Sequence, residues 1–287
     1  MTPTMNQDSI IKVLLIVIIA LLAVNILLLT AWGVIALVQG VTTPGAQGSV
    51  GTPNDTKDTQ DVPAWQPDPS VILGQSEDMG DEYIDSIIFL GDSTTYHMIN
   101  RAVLKGGKQT TQVWSGASGW LNLDGTIHTT TIRYPETGEE IKIADAVALK
   151  KPEYLVITLG IDYGVAYCDQ NKFTTYYGKL LSAIRQASPD TKIMLQSIFP
   201  VSAAYEQSVI DAGHEKNGIT NAKIDTANTW VMKLAKDYGC KYLDTASVLK
   251  NDSGAMSALY DAGDGIHMTA EAYRVILQYI RTHGYTD

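Results

Sequence analysis

Residues 13–38 carry no charged side chain. The run reads VLLIVIIALLAVNILLLTAWGVIALV, and Asn25 and Thr30 are its only clearly polar members. A helix of that length spans roughly 39 Å, enough to cross a hydrocarbon core of about 30 Å with some tilt. A cleaved leader has an apolar region of only about 7–15 residues, and no A-x-A site follows here, so the run reads as an uncleaved anchor. Lys12 precedes it, and no Lys or Arg follows until Lys57. The positive-inside tendency then puts the short N-terminus in the cytoplasm and the bulk of the chain outside. The expectation is a single-pass protein of the cell membrane, held in the lipid bilayer through residues 13–38.

The anchor and its cytoplasmic tip make up residues 1–39. Residues 40–76 are rich in Gly, Pro, Thr, Gln and Asp, with few apolar side chains to offset ordering entropy, and read as a flexible linker. Residues 77–287 are left for a globular domain. A net charge of −10 leaves no excess of Lys or Arg for counterion release on a phosphate backbone, so nucleic acid is not an expected partner. Two cysteines are too few for a disulfide scaffold or a cysteine-only zinc site. A bridge between them would join opposite ends of the domain's sheet, which disulfide geometry makes awkward.

Within the domain, short apolar runs alternate with helical patterns. SIIFLGDS, TQVWSGASG, EYLVITLG, KIMLQSIF and CKYLDTASVL each begin as a strand. A helix is expected after the first, through Leu104. Apolar residues recur at helical spacing at Phe173–Tyr177–Leu180–Leu181–Ile184, Ile224–Ala227–Val231–Leu234–Tyr238 and Tyr273–Ile276–Leu277–Ile280. This alternation predicts an α/β fold, with a mostly parallel five-stranded sheet covered by helices on both faces. Residues 129–143, TTTIRYPETGEEIKI, interrupt the pattern and read as a β-hairpin turning at Pro135–Gly138.

In such sheets, ligands sit beyond the carboxyl ends of the strands. Three glycine-bearing loops fall there: Gly91-Asp92-Ser93, the loop from Gly116 to Gly119, and Gly160-Ile161-Asp162. A serine hydroxyl becomes a nucleophile only with a base in reach and donors for the oxyanion it creates. Ser93 lies where a strand turns into a helix. Asp264 stands three residues before His267, a spacing at which a carboxylate can hold an imidazole's tautomer. Ser93 as nucleophile, His267 as base and Asp264 as its orienter form the candidate catalytic set. His97, four residues after Ser93, reads as an ordinary helix histidine. The remaining histidines lack ligand spacing, so neither a metal nor another cofactor is expected.

FLGDSTT, GASG, TLGIDYG and DGIH, in that order, resemble the four sequence blocks of the SGNH/GDSL hydrolases. The resemblance covers residues 85 onward. It implies a three-layer α/β/α flavodoxin-like fold and metal-free hydrolysis of short acyl esters. It also implies an oxyanion hole made by the backbone N–H groups of Ser93 and Gly119, in preference to Gly116, and by the residue at 162. The family places an Asn amide there, whereas this chain has Asp162. A carboxylate would repel an oxyanion, a protonated acid could still donate to it, and a side chain turned away could brace a loop. Trp120 and Tyr163 are placed to meet a sugar ring or acyl chain at the site mouth. The expected substrate is an acylated small molecule or glycan, and the external address suggests O-acetyl groups on a cell-envelope glycan. An O-acyltransferase using the same triad and a catalytically inactive glycan-binding module are the alternatives.

Overall fold

The computed structural model describes residues 68–285. The expected anchor, residues 13–38, lies outside them. Among the described residues no helix is long and apolar enough to cross a membrane.

Five parallel strands form the sheet: β1 (Ile87–Gly91), β2 (Val113–Trp114), β5 (Tyr154–Thr158), β6 (Lys192–Gln196) and β7 (Lys241–Leu243). Their spatial order is β2-β1-β5-β6-β7. β3 (Thr131–Arg133) and β4 (Glu140–Lys142) pair separately as the antiparallel hairpin expected from residues 129–143, with Ile132 opposite Ile141.

Both faces of the sheet are apolar, as strands covered on both sides require. Alternate residues go to opposite cores. Ile88, Leu90, Leu155, Ile157, Ile193 and Leu195 face one, while Ile87, Phe89, Val113, Val156, Met194 and Leu243 face the other. The first core is closed by α3 (Ile143–Lys150), α5 (Gln170–Ala187) and α7 (Asn221–Asp237). The second is closed by α1 (Gly80–Asp85), α2 (Ser93–Asn100) and α8 (Ala270–Arg281). Two further helices, α4 (Gly164–Tyr167) and α6 (Ala203–Asp211), follow β5 and β6. The result is the three-layer α/β/α architecture.

Three details depart from the sequence reading. α2 ends at Asn100, not Leu104, because Ala102 takes a left-handed φ of 53° and the chain turns there, with Leu104 still reaching the second core. β7 stops at Leu243, and Thr245–Val248 forms a 3-10 turn whose Thr245 hydroxyl accepts from Gln196 Nε2 at 2.8 Å. The end of the expected linker is docked on the domain. Val71 and Leu73 are buried, Leu73 N–H donates to the Tyr242 carbonyl at 2.9 Å, and Ile72 bridges Tyr242 beside β7. Composition hides this because only three apolar residues, Val71 to Leu73, do the packing. Cys168 and Cys240 are both free thiols.

Candidate active site

β1 and β5 run level, Gly91 opposite Thr158, so the loops that follow them emerge side by side. A Cβ at Gly91 would lie 2.5 Å from the Thr158 carbonyl oxygen, and only glycine permits the approach. Asp92 then caps α2. Its Oδ1 accepts from the Thr94 N–H (3.1 Å) and hydroxyl (2.7 Å), and its Oδ2 accepts from the N–H groups of Gly160 (3.0 Å) and Ile161 (3.1 Å). One buried carboxyl thus ties the serine turn to the loop after β5. Burial, and then the neighbouring Asp162, push its pKa upward against these donors. Asp92→Asn keeps the shape but can serve only one of the two donor pairs. We expect it to cost about 2–4 kcal/mol, read as a lowered denaturation midpoint at neutral pH. An unchanged midpoint would show that the four bonds do not hold the loops together.

Ser93 begins α2 and is buried. Its Oγ lies 3.2 Å from His267 Nε2, and His267 Nδ1 lies 2.7 Å from Asp264 Oδ2. The other Asp264 oxygen accepts the N–H groups of Ile266 (3.0 Å) and His267 (2.8 Å). Partial burial works to raise the Asp264 carboxyl, but the His267 ring bond and these backbone donors hold it down to about 2. It therefore stays ionised wherever the imidazole can act as a base. The loop is fixed from several sides. Asp261 Oδ1 accepts from Gly263 and Gly265, Ser202 N–H donates to the Gly265 carbonyl, and Arg101 Nε donates to the Met268 carbonyl at 3.0 Å.

His97 is more than an ordinary helix residue. Its ring stacks on His267 with centroids 4.0 Å apart and planes 9° from parallel. Burial, then the charge His267 can carry, lower its pKa, which favours a neutral ring there. The i+4 spacing from Ser93 on α2 was the available signal.

Asp162 faces into the site. Its Oδ2 accepts the N–H of Ser93 (3.0 Å) and, at 3.3 Å, that of Leu121, and its Oδ1 lies 3.0 Å from Ser93 Oγ. A γ-turn of the rarer hand presents it: Gly164 N–H reaches the Asp162 carbonyl at 3.0 Å across Tyr163, whose φ is 74°. Nothing in the sequence pattern signals this turn, because Tyr is an unusual residue for it.

Gly119 is placed differently from the expectation. Its N–H closes a turn onto the Gly116 carbonyl at 2.8 Å. Its own φ is 82°, and a Cβ there would sit 2.7 Å from the Tyr96 ring. The glycine serves the turn, and the backbone donor that reaches Asp162 beside that of Ser93 is Leu121.

Ser93, Asp162 and His267 line a cleft of about 270 Å³, together with Trp120, Asn122, Ile161, Tyr163, Tyr167, Ile219 and Ile266. Trp120 is 62% exposed, Tyr167 55% and Tyr163 41%, so all three form a rim and not a core. A larger hollow of about 570 Å³ shares Tyr167 with this cleft, but no histidine lines it.

A parallel sheet that brings a buried serine to a histidine–aspartate loop defines a three-layer α/β hydrolase of the SGNH class. The chain belongs to the GDSL-like lipase/acylhydrolase family, whose model matches residues 89–275, and it is accordingly a hydrolase. No curated protein sequence matches it. Among solved structures it is similar to a Streptococcus pneumonia protein described as a platelet activating factor, at 15% identity over 68% of this chain and 82% of that one, with a TM-score of 0.47. It is also similar to a carbohydrate esterase family 3 protein of Talaromyces cellulolyticus, at 17% identity over 68% and 93%, TM-score 0.43. A third likeness is to the periplasmic domain of a lipopolysaccharide acetyltransferase of Salmonella ser. Paratyphi A, at 13% identity over 73% and 84%, TM-score 0.45.

Proposed function

We propose that this chain is a serine esterase that removes short acyl groups, O-acetyl foremost, from a cell-envelope glycan, and that residues 13–38 tether it to the membrane with the enzyme domain outside. The observation that carries the reading is the unbroken path from Ser93 Oγ through His267 to Asp264, at 3.2 and 2.7 Å.

In this mechanism Ser93 Oγ attacks the ester carbonyl while its proton passes to His267 Nε2. The developing oxyanion takes the N–H groups of Ser93 and Leu121, which the Asp162 carboxyl gives up to it. Collapse of the adduct breaks the bond to the leaving alkoxide, which receives the proton from His267. Water then attacks the acyl-serine with His267 as base, releasing the acid and restoring Ser93. Asp264 stays ionised and steadies the imidazolium.

The small cleft, with Ile161, Ile219 and Ile266 in its wall, suits a short acyl chain. Trp120, Tyr163 and Tyr167 at its rim suit stacking on sugar rings. A tethered domain reaches only substrates near the membrane or wall, which is why the glycan is taken from the envelope.

The test is labelling of the full chain, in detergent, with a fluorophosphonate. The expected result is a single adduct whose mass maps to Ser93, with release of acetate from an O-acetylated glycan by the same preparation. Failure to label Ser93, in a protein whose melting curve shows it folded, would end the serine-esterase reading.

A further inference from the structure

Ser93 Oγ has two neighbours that can accept its proton, and it carries only one proton to give. Asp162 Oδ1 lies at 3.0 Å on one side and His267 Nε2 at 3.2 Å on the other. The remaining capacity of both neighbours is committed: Asp162 Oδ2 to the Ser93 and Leu121 N–H groups, and His267 Nδ1 to Asp264.

Three proton arrangements follow from this geometry. With Asp162 neutral, its Oδ1–H donates to Ser93 Oγ, the serine O–H donates to Nε2, and every group is satisfied. If the serine proton moves to Nε2 while the Asp162 proton moves to Oγ, the bonds are again all satisfied. The imidazole is then already protonated and is no base, while the serine points at Asp162. With one proton removed from the set, a single hydroxyl hydrogen faces two acceptors and one of them goes without a donor, which a buried site penalises.

We propose that Asp162 is the proton-holding partner of the nucleophile: as a neutral acid it commits the Ser93 hydroxyl hydrogen to His267, and as a carboxylate it accepts that O–H as a hydrogen bond, turns it away from His267 and switches the serine off. This inference rests on the serine-esterase reading and deepens it. It assigns position 162 a function other than stabilising the oxyanion. The same switch acts on the backbone donors. A carboxylate holds N–H groups roughly twice as strongly as a neutral acceptor, so only the neutral acid yields Ser93 N–H and Leu121 N–H readily to a substrate oxyanion.

The surroundings favour the neutral acid. Asp162 is 4% exposed, and burial raises its pKa against the pull of the Ser93 and Leu121 donors and of the charge on His267. Asp92 on the serine turn and His267 on the histidine loop act on it directly; His97 and Arg101 from α2, Asp264 from the histidine loop and Tyr273 from α8 act on one another or on these two, and Tyr163 and Tyr167 line the same cleft. Asp92, the neighbouring carboxyl, is raised as well, by burial first and then by Asp162, while its four donors oppose the rise.

The sign of the pH effect follows. The working form carries the proton, so activity falls as pH rises through the raised pKa of Asp162, and the wild-type profile is bell-shaped. Asp162→Asn copies the neutral acid permanently, its amide N–H₂ donating to Oγ and its carbonyl accepting the two backbone N–H groups. The alkaline fall should therefore vanish. Because one oxyanion-hole contact is worth on the order of 10²-fold in rate, the variant should exceed wild type by about 10-fold or more near pH 9. Asp162→Ser, which also cannot ionise there, should lose the alkaline limb on a lower plateau. It serves if the Asn variant melts early.

The experiment measures kcat/KM on a short aryl ester, and the fluorophosphonate labelling rate, from about pH 5 to 9 for the full-length chain and both variants. Wild-type minus Asp162→Asn infrared difference spectra supply a readout independent of turnover. A neutral-carboxyl C=O band should be present where labelling is fastest and bleach as the rate falls. An alkaline limb unchanged in both variants, or no such band at the optimum, overturns the proposal. If no form hydrolyses or labels, the esterase reading fails instead, and the infrared band still decides where the proton resides.

Discussion

Ser93→Ala should lower kcat/KM on a short aryl ester by on the order of 10⁴-fold or more, and should abolish the fluorophosphonate adduct. The side chain contributes little else. Among the described residues its Oγ makes bonds only to Asp162 and His267, and the α2 cap is made by Asp92, so the helix start survives. The melting temperature should move little, and separating lost chemistry from lost folding is the purpose of measuring it. His267→Ala should cost a similar factor. The double variant should be scarcely worse than either, because members of one relay act as a unit and their effects do not add. A Ser93→Ala protein that keeps a tenth of the wild-type rate would mean that another group carries the reaction.

The second large effect is structural. Phe173→Ala should destabilise the domain by about 3–5 kcal/mol, the usual range for emptying a fully buried phenylalanine site. Phe173 is fully buried and meets Trp230 edge-on, with centroids 5.4 Å apart. Its ring edge also lies 3.2 Å from where a Cβ would stand on Gly164 and 3.6 Å from the same position on Gly160. The phenylalanine is thus a floor under the loop that presents Asp162 across the γ-turn at Tyr163. The variant should show a lower urea midpoint together with a reduced kcat, since a loop that sags into a cavity no longer holds Asp162 against Ser93. Phe173→Leu should cost less and keep more of the rate. A Phe173→Ala protein as stable as wild type would show that the core collapses to fill the space.

Much of the architecture was legible in the chain. The apolar runs at Ile87–Leu90 and Tyr154–Thr158 are buried strands, and the helical stripe from Phe173 to Ile184 is the buried face of α5. These signals are strong because a strand covered on both faces must be apolar throughout, and a covering helix must be apolar on one side. Short features escaped. Residues Val71 to Leu73 pack on β7 although they lie in a stretch whose composition says linker. β7 ends after Leu243 because Thr245 pairs with Gln196 instead of continuing the ladder. Both outcomes depend on contacts with residues more than forty positions away.

The candidate site divides in the same way. Ser93, Asp264 and His267 could be singled out because a strand-to-helix turn and a three-residue spacing are local patterns. By itself, then, the sequence determined the alternation of elements, the apolar stretch at residues 13–38 and the identity of the three residues in line. Only the tertiary structure decided that Leu121 and not Gly119 points its N–H into the site, that His97 stacks on the imidazole, and that Asp162 faces the serine. The reason is physical. Periodicity and spacing report which side of an element is dry, whereas the direction of one N–H or one carboxyl is set by turns and by partners that chain order keeps far apart.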